Sequence, residues 1–163
     1  MSDTRSHFST GLFARRRVLA LAATAPIALM LPALVASAKG NGKDVVKIAM
    51  KHKGDKYKWG GASPKGFDCS GFTWYCYKQA TGMDIGRTVK SQWKQGKSVG
   101  KNDWQAGDIV FFKNTFEKGL SHTGIFISGE KFIHAENERT GVVISTLDSD
   151  YYNKHYAGAR RLV

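Results

Sequence analysis

The sequence has few acidic residues, so its charge is strongly positive. It lacks the motifs that would indicate nucleic-acid binding as the reason for that charge. Its 163 residues include 13 aspartates and glutamates against 25 lysines and arginines, for a formal net charge of +12. A balance of this kind attracts anionic partners. The chain has no arginine-rich helix and no aromatic RNA-binding motif, so nucleic acid is not an expected partner.

Cysteine is also scarce, and none lies near the amino-terminal segment that has the pattern of an export signal. Arg15, Arg16 and Arg17 precede an apolar run over residues 18–36, which ends in the small residues 36–38. A basic region, an apolar region and a small-x-small site predict a signal peptide over residues 1–38, of possible twin-arginine type. A lipoprotein anchor is excluded because no cysteine lies near the cleavage site.

The apolar run is long enough to permit a second interpretation, a membrane-spanning anchor. Pro26 and Pro32 within the run, and the small-residue site after it, favour cleavage. Contact with a membrane is therefore expected only if the signal stays uncleaved.

Cleavage after Ala38 leaves enough chain for one domain with one core. Residues 39–43 (Lys-Gly-Asn-Gly-Lys) are predicted to be a flexible joint, and residues 44–163 the folded domain. The signal carries four of the 25 basic and one of the 13 acidic residues, which leaves about +9 for residues 39–163. That charge predicts contact with anionic polymers of the cell envelope.

The stretch Gly66–Phe72 places a cysteine at the predicted start of a helix. Asp68 is an N-cap candidate, and an apolar stripe at helical spacing begins at Cys69 and ends before Gly82. Unpaired backbone N–H groups and the helix dipole at this end favour a thiolate. The simpler alternative is that Cys69 is a core residue, the usual role of a free cysteine.

Cys76 lies seven residues further along the same predicted helix. That spacing separates the two Cα atoms by about 10 Å, beyond the roughly 7 Å that a disulfide spans. Both thiols are therefore predicted to be free. Cys76 has no polar neighbour on the helix and is predicted to be a core residue.

Helical patterns come first in the chain and strand patterns follow, which predicts an α+β fold. A helix capped by Asp44 and ending at Lys53, and a short helix near Val89, accompany the cysteine helix. About five strands are expected to form an antiparallel meander, over residues 109–112, 122–127, 132–135, 142–145 and 159–163.

Two histidines lie on neighbouring predicted strands. His122 opens one strand, and His134 lies near the end of the next. A three-residue loop over 128–130, or a bulge with the same effect, would place His134 opposite Gly124 and on the same face as His122. That register predicts a nitrogen–nitrogen contact near hydrogen-bonding distance, whereas a register one residue away separates the two rings.

Five blocks in this order resemble the NlpC-type cell-wall cysteine peptidases, relatives of papain with a rearranged chain order. The resemblance covers nearly all of residues 45–163. The blocks are Tyr57-x-Trp59-Gly60-Gly61, Phe67-Asp68-Cys69-Ser70-Gly71-Phe72, Gly107-Asp108-Ile109-Val110-Phe111-Phe112, Ser121-His122-Thr123-Gly124-Ile125 and Phe132-Ile133-His134-Ala135.

The resemblance implies a papain-like domain in which Cys69 is the nucleophile, His122 the base and His134 the third polar residue. Tyr57 matches a tyrosine that lines the family's active site, and its hydroxyl and the Cys69 N–H are candidate oxyanion donors. Asp68 and Ser70 are candidate substrate-binding or oxyanion residues at the same helix start, although Asp68 is primarily a cap.

The resemblance further implies an exported endopeptidase that cuts peptidoglycan stem peptides through a thioester. It implies a monomer in the periplasm or cell envelope that needs no metal or cofactor. The bond would lie between D-glutamate and diaminopimelate or in a cross-link. A non-catalytic wall-binding domain of the same fold and a cysteine acyltransferase are the alternatives, since transfer needs the same nucleophile as hydrolysis.

The predicted export signal can be tested on protein recovered from its native cell. We expect a chain that starts at Lys39 and is released in soluble form when the envelope is opened. Intact-mass measurement identifies the first residue. An uncleaved amino terminus in protein that sediments with membranes would instead identify the apolar run as an anchor.

Overall fold

The structure, a computed structural model, describes residues 40–163, so the predicted signal peptide lies outside the described residues. Among residues 40–163, no helix is both long enough and apolar enough to cross a bilayer. In chain order the elements are α1 (Gly42–Lys51), β1 (Ala62–Ser63), β2 (Gly66–Phe67), α2 (Cys69–Thr81), α3 (Val89–Trp93), β3 (Lys97–Val99), β4 (Ile109–Lys113), β5 (Leu120–Ser128), β6 (Lys131–Asn137), β7 (Gly141–Thr146), α4 (Asp150–His155) and β8 (Tyr156–Arg161).

Helix α1 begins three residues before the start predicted from a cap at Asp44. Its N-cap is Asn41, whose side chain accepts from the N–H groups of Lys43 and Asp44. Asp44 is the N3 residue and bonds back to the Asn41 N–H at 3.0 Å, which completes a capping box. The prediction of a flexible joint over 39–43 is therefore wrong for its last two residues, which are helical.

Helix α2 forms as the sequence predicts because its signals are local. The Asp68 side chain accepts from the Gly71 N–H at 2.6 Å and caps the first turn. Gly82 ends the helix in the left-handed conformation, with φ of 74°. Cys69 is the first helical residue, and both Cys69 and Cys76 are free thiols.

The main sheet has six strands in the order β3-β8-β4-β5-β6-β7, so the expected meander of about five strands is only part of it. Strands β4 to β7 are the meander. The last strand, β8, returns to pair with β4, and β3 pairs on its outer side. The sequence did not predict strand β3, because the strand is short and its hydrogen-bonded partner, β8, lies at the far end of the chain. A separate hairpin, β1 with β2, precedes α2.

Strand β4 is apolar throughout because both of its faces are buried. Ile109 and Phe111 pack in a core shared with α1 and α2, whereas Val110 and Phe112 pack in a second core that includes Tyr152 of α4. Alternate side chains of one strand thus fill two cores. Helix α2 lies over one face and α4 over the other.

The hairpin between β5 and β6 has the predicted register, reached through a bulge. Ser128 pairs with Lys131 around a two-residue turn, and Phe126 pairs with Phe132, so Ile127 is the extra residue. The bulge has the same effect as the three-residue loop that was the first expectation. His134 consequently lies opposite Gly124, where an added Cβ would be 3.0 Å from the His134 Cβ.

The close approach at Gly124 predicts a cost for any larger residue there. The Cβ of a Gly124→Ala variant would lie 2.7 Å from Phe132 Cδ2, and both neighbours are fully buried. We expect a loss of about 1–3 kcal/mol in the free energy of unfolding, measured in urea.

A matched control lies in the same hairpin. Gly129 is at the turn with φ of 59°, and an added Cβ would meet nothing within 4 Å. Asparagine tolerates that conformation, so Gly129→Asn should change stability by less than about 0.5 kcal/mol. Equal stabilities for the two variants would contradict the packing described for Gly124.

Candidate active site

The thiol of Cys69 lies at the start of α2 against strand β5 and is 5% exposed. The backbone N–H groups of Ser70, Thr123 and Cys69 itself favour its thiolate form. Burial and then the Asp68 carboxylate act in the opposite direction and raise the pKa of the Cys69 thiol to about 12. Desolvation and the Asp68 charge thus oppose the thiolate that the helix start was expected to favour.

Asp68 and Ser70, the candidate substrate-binding or oxyanion residues, line the cleft beside Cys69, and their side chains make their hydrogen bonds within the protein. Beyond its cap, Asp68 places Oδ2 3.6 Å from the Arg87 guanidinium. The Ser70 hydroxyl donates to the Arg87 carbonyl at 2.9 Å and lies 3.2 Å from Asp68 Oδ1. Both residues thus hold the start of α2 against the segment that leads into α3.

Gln92 of α3 is a fully buried residue whose role the sequence did not reveal. Its amide nitrogen donates to the carbonyls of Ser70 and Gly86 at 2.8 and 2.9 Å. Its oxygen accepts from Thr73 Oγ1 at 2.7 Å. A buried amide with all of these partners fixes the first turn of α2, and with it the backbone of the nucleophile candidate.

The two histidines predicted to meet are in direct contact. His122 Nε2 lies 2.7 Å from His134 Nδ1, which confirms the contact expected from the hairpin register. Both rings are buried, and burial lowers the pKa of His122 to about 4 and that of His134 well below its ordinary value. Both imidazoles are therefore neutral at pH 7, and each can carry one proton to donate and one lone pair to accept.

The second nitrogen of His134 contacts residues that sequence reasoning missed. His134 Nε2 lies 3.0 Å from Ser145 Oγ on β7 and 3.5 Å from Tyr152 Oη on α4. Ser145 belonged to a predicted strand, but no pattern indicated which strand would face His134. The short helix that carries Tyr152 was not predicted.

An open cleft of about 370 Å³ lies beside Cys69, and Tyr57 and Phe116 line it. Phe116 also lines the adjoining cleft that reaches His122. Trp59 and Phe116 are 68% and 53% exposed and meet edge to face with centroids 5.6 Å apart. Large exposed aromatic side chains beside a cleft are typical of a binding surface.

Tyr57 contributes a protonated hydroxyl to the same cleft. Burial, followed by the charges of Cys69, Asp68 and Glu138, raises its pKa to about 12. Among residues 40–163 the hydroxyl makes no hydrogen bond, so it is free to donate to a bound molecule. In the same part of the chain, no three His, Cys, Asp or Glu side chains converge as ligands for a metal ion.

A model of the NlpC/P60 family matches residues 54–161, which include all of these groups. The chain belongs to the NlpC/P60 family. It is similar to two Bacillus subtilis proteins. A gamma-DL-glutamyl hydrolase is 40% identical over 118 residues, and a probable peptidoglycan endopeptidase, LytE, is 42% identical over 122 residues.

These matches cover 72% and 74% of this NlpC/P60 chain but only 28% and 34% of the two relatives, so the chain spans about a third of their length. Among solved structures, the NlpC/p60 domain of the peptidoglycan hydrolase SagA matches with a TM-score of 0.67 and 34% identity. That match covers 75% of this chain and 99% of the SagA domain. The helices and antiparallel sheet of this NlpC/P60 chain are therefore the family fold.

Because the Asp68 carboxylate raises the pKa of Cys69, an Asp68→Asn variant should lower it. Asparagine caps helices as well as aspartate does, so α2 should keep its start. We expect Cys69 to react faster with iodoacetamide at pH 7 in the variant than in the unmodified NlpC/P60 chain, as measured by peptide mass spectrometry.

Cys76 is the internal control for this labelling. It is fully buried, and burial alone raises its pKa, so it should stay unlabelled in both proteins until they unfold. An unchanged Cys69 rate in Asp68→Asn, or equal labelling of both cysteines in the native protein, would contradict the electrostatics described for α2.

Proposed function

We propose that this chain is an exported cysteine endopeptidase that hydrolyses amide bonds in peptidoglycan stem peptides. The observation that carries the proposal is the hydrogen-bonded pair His122 and His134 together with the bond from the backbone N–H of Thr123, the residue after His122, to the buried thiol of Cys69. Clefts adjoin both His122 and Cys69. The substrate class is supported by the names of relatives, which include peptidoglycan endopeptidases and a gamma-DL-glutamyl hydrolase.

In the proposed mechanism His122 acts as a general base on a neutral thiol. The Cys69 sulfur attacks the amide carbonyl carbon while its proton moves to the free nitrogen of His122, Nδ1. A base with a pKa of about 4 is unprotonated throughout the neutral range, so it is ready to accept. His134 holds the other nitrogen of the ring.

Collapse of the tetrahedral intermediate breaks the carbon–nitrogen bond. His122 returns its proton to the leaving amine, and the acyl group stays on Cys69 as a thioester. Water then attacks the thioester and gives a proton to His122. Breaking the carbon–sulfur bond releases a carboxylic acid, and His122 returns its proton to the Cys69 sulfur. No external oxidant, reductant or second substrate is needed.

The developing oxyanion would be stabilised by two donors. The backbone N–H of Cys69 lies at the open end of α2, where helix N–H groups have no partner within the helix. The Tyr57 hydroxyl, protonated and without a partner among the described residues, is the second. Asp68 and Ser70 support this arrangement by fixing the first turn of α2, and their side chains need not touch substrate.

The cleft beside Cys69 is lined by two basic and two acidic side chains, and its basic pair could bind carboxylates of the stem peptide. Arg87 and Lys90 line the cleft beside Cys69, and Arg87 also donates to the Gly60 carbonyl at 3.2 Å. Arg87 thereby connects the loop after Trp59 to the start of α2. Together with the excess of basic residues, this favours binding of carboxylates and of anionic envelope polymers.

We also propose that the protein acts in the periplasm or cell envelope once residues 1–38 have been removed. The proposal rests on the basic region, apolar run and small-residue site of that segment. The envelope is where a hydrolase of stem peptides meets its substrate.

Digestion of purified muropeptides, read by mass spectrometry, tests the proposed reaction. We expect fragments with the elements of water added, and a loss of more than about 10³-fold in rate for Cys69→Ala. Cys76→Ala is the matched control, since it removes the other thiol and should keep its activity. Amine adducts in place of hydrolysis would indicate a transferase, and no products at all a binding domain.

A further inference from the structure

The hydrogen bonds that begin at His122 continue past His134 to a carboxylate. Tyr152 Oη, 3.5 Å from His134 Nε2, donates its proton to Glu136 Oε1 at 3.0 Å. Thr140 Oγ1 donates to the other carboxylate oxygen at 2.6 Å. Two side chains, His134 and Tyr152, therefore link the candidate base His122 to Glu136.

The Glu136 carboxylate decides which atom donates and which accepts in this series of hydrogen bonds. An ionised carboxylate only accepts, so the Tyr152 proton is committed to Glu136. The Tyr152 oxygen can then only accept, and its possible donors are His134 Nε2 at 3.5 Å and the Ser145 hydroxyl. A Ser145 hydroxyl that donates to Tyr152 accepts in turn from His134 Nε2 at 3.0 Å. Either arrangement that gives the Tyr152 oxygen a donor places the His134 proton on Nε2.

The protonation of His134 in turn decides which nitrogen donates between His134 and His122. With its proton on Nε2, neutral His134 has a lone pair on Nδ1, which can only accept from His122 Nε2 at 2.7 Å. His122 then carries its proton on Nε2 and keeps Nδ1 unprotonated. The opposite direction would protonate Nδ1 and leave His122 unable to act as a base at that nitrogen.

We propose that Glu136, acting through Tyr152, is a positioning residue that sets the tautomer of both histidines and so keeps His122 Nδ1 free. The proposal rests on the proposed function, in which His122 is the base. Glu136 acts through other side chains and forms no bond with the reacting atoms.

The fold supports this role for Glu136. The ladder between β6 and β7 shifts between Ala135 and Asn137, so Glu136 is an extra residue that forms a bulge two positions after His134. Bulges re-aim side chains next to active sites. Tyr152 is held in place by edge-to-face packing on Phe132 and by the capping of α4 by Ser149.

The negative charge of Glu136 also supports a role for this residue in the function of His122. The Glu136 carboxylate raises the pKa of His122, although burial lowers it by more. A negative charge that lines the same cleft as His122 stabilises the imidazolium formed when the thiol gives up its proton.

Two variants of the full chain test the proposal. Glu136→Ala frees the Tyr152 proton to bond to His134, and Tyr152→Phe removes the link but keeps the packed ring. In protein labelled with ¹⁵N-histidine, NMR reports which ring nitrogen of His122 carries the proton, with His122→Asn to assign the signal. We expect Nε2–H in the wild type and a mixture of tautomers in each variant.

The same variants should lower kcat by about 10- to 100-fold with little change in KM, a loss of the size seen for outer partners of functional histidines. Glu136→Ala and Tyr152→Phe both act through the Tyr152 hydroxyl. The variant that combines them should therefore show the same tautomer mixture and kcat as Tyr152→Phe alone. Glu130→Ala removes an exposed carboxylate at the distant turn and is the control.

Three results would overturn the proposal: Nδ1–H in the wild type, an unchanged tautomer in Glu136→Ala, or a change confined to KM, which would make Glu136 a substrate contact. The NMR measurement uses free protein, so it is independent of the reaction. A chain that cuts no muropeptide but keeps the expected tautomers would contradict the proposed function and leave the role of Glu136 intact.

Discussion

The hydrogen bond between His122 and His134 is the interaction on which the site depends, and burial sets its character. Both rings lie away from water, so both stay neutral at pH 7. A buried neutral imidazole needs one donor and one acceptor as partners, and a change at one nitrogen therefore affects the other. Hydrogen bonds accordingly connect His122 through His134 and Tyr152 to Glu136.

The state of Cys69 follows from the same burial. The start of α2 supplies N–H groups that favour a thiolate, but the thiol is 5% exposed and lies next to the Asp68 carboxylate, and its pKa rises to about 12. In the proposed reaction, proton transfer from this thiol to His122 would accompany attack on the substrate. The cap that starts the helix also raises the pKa of the Cys69 thiol, which makes Asp68 both a structural and an electrostatic residue.

Local signals predicted much of this fold, and contacts between distant residues account for what was missed. The start of α2 was predictable because its cap, stripe and final glycine lie within fifteen residues, and the His122–His134 contact because one hairpin register fixes it. Strand β3 gains its partner from β8, and Tyr152 reaches His134 from a short helix. Desolvation of Cys69 depends on the whole domain, so no property of the helix start alone could reveal it.

The central claim is that Cys69 and His122 are neutral together at rest, and the ultraviolet absorbance of the thiolate tests it most directly. The titration compares the full chain with a Cys69→Ser variant, so that the difference reports Cys69 alone. The account predicts no thiolate absorbance at neutral pH and a rise only as the pH approaches about 12. Thiolate absorbance already present below pH 7, and lost when His122 is replaced by asparagine, would reveal a thiolate–imidazolium pair and contradict the account.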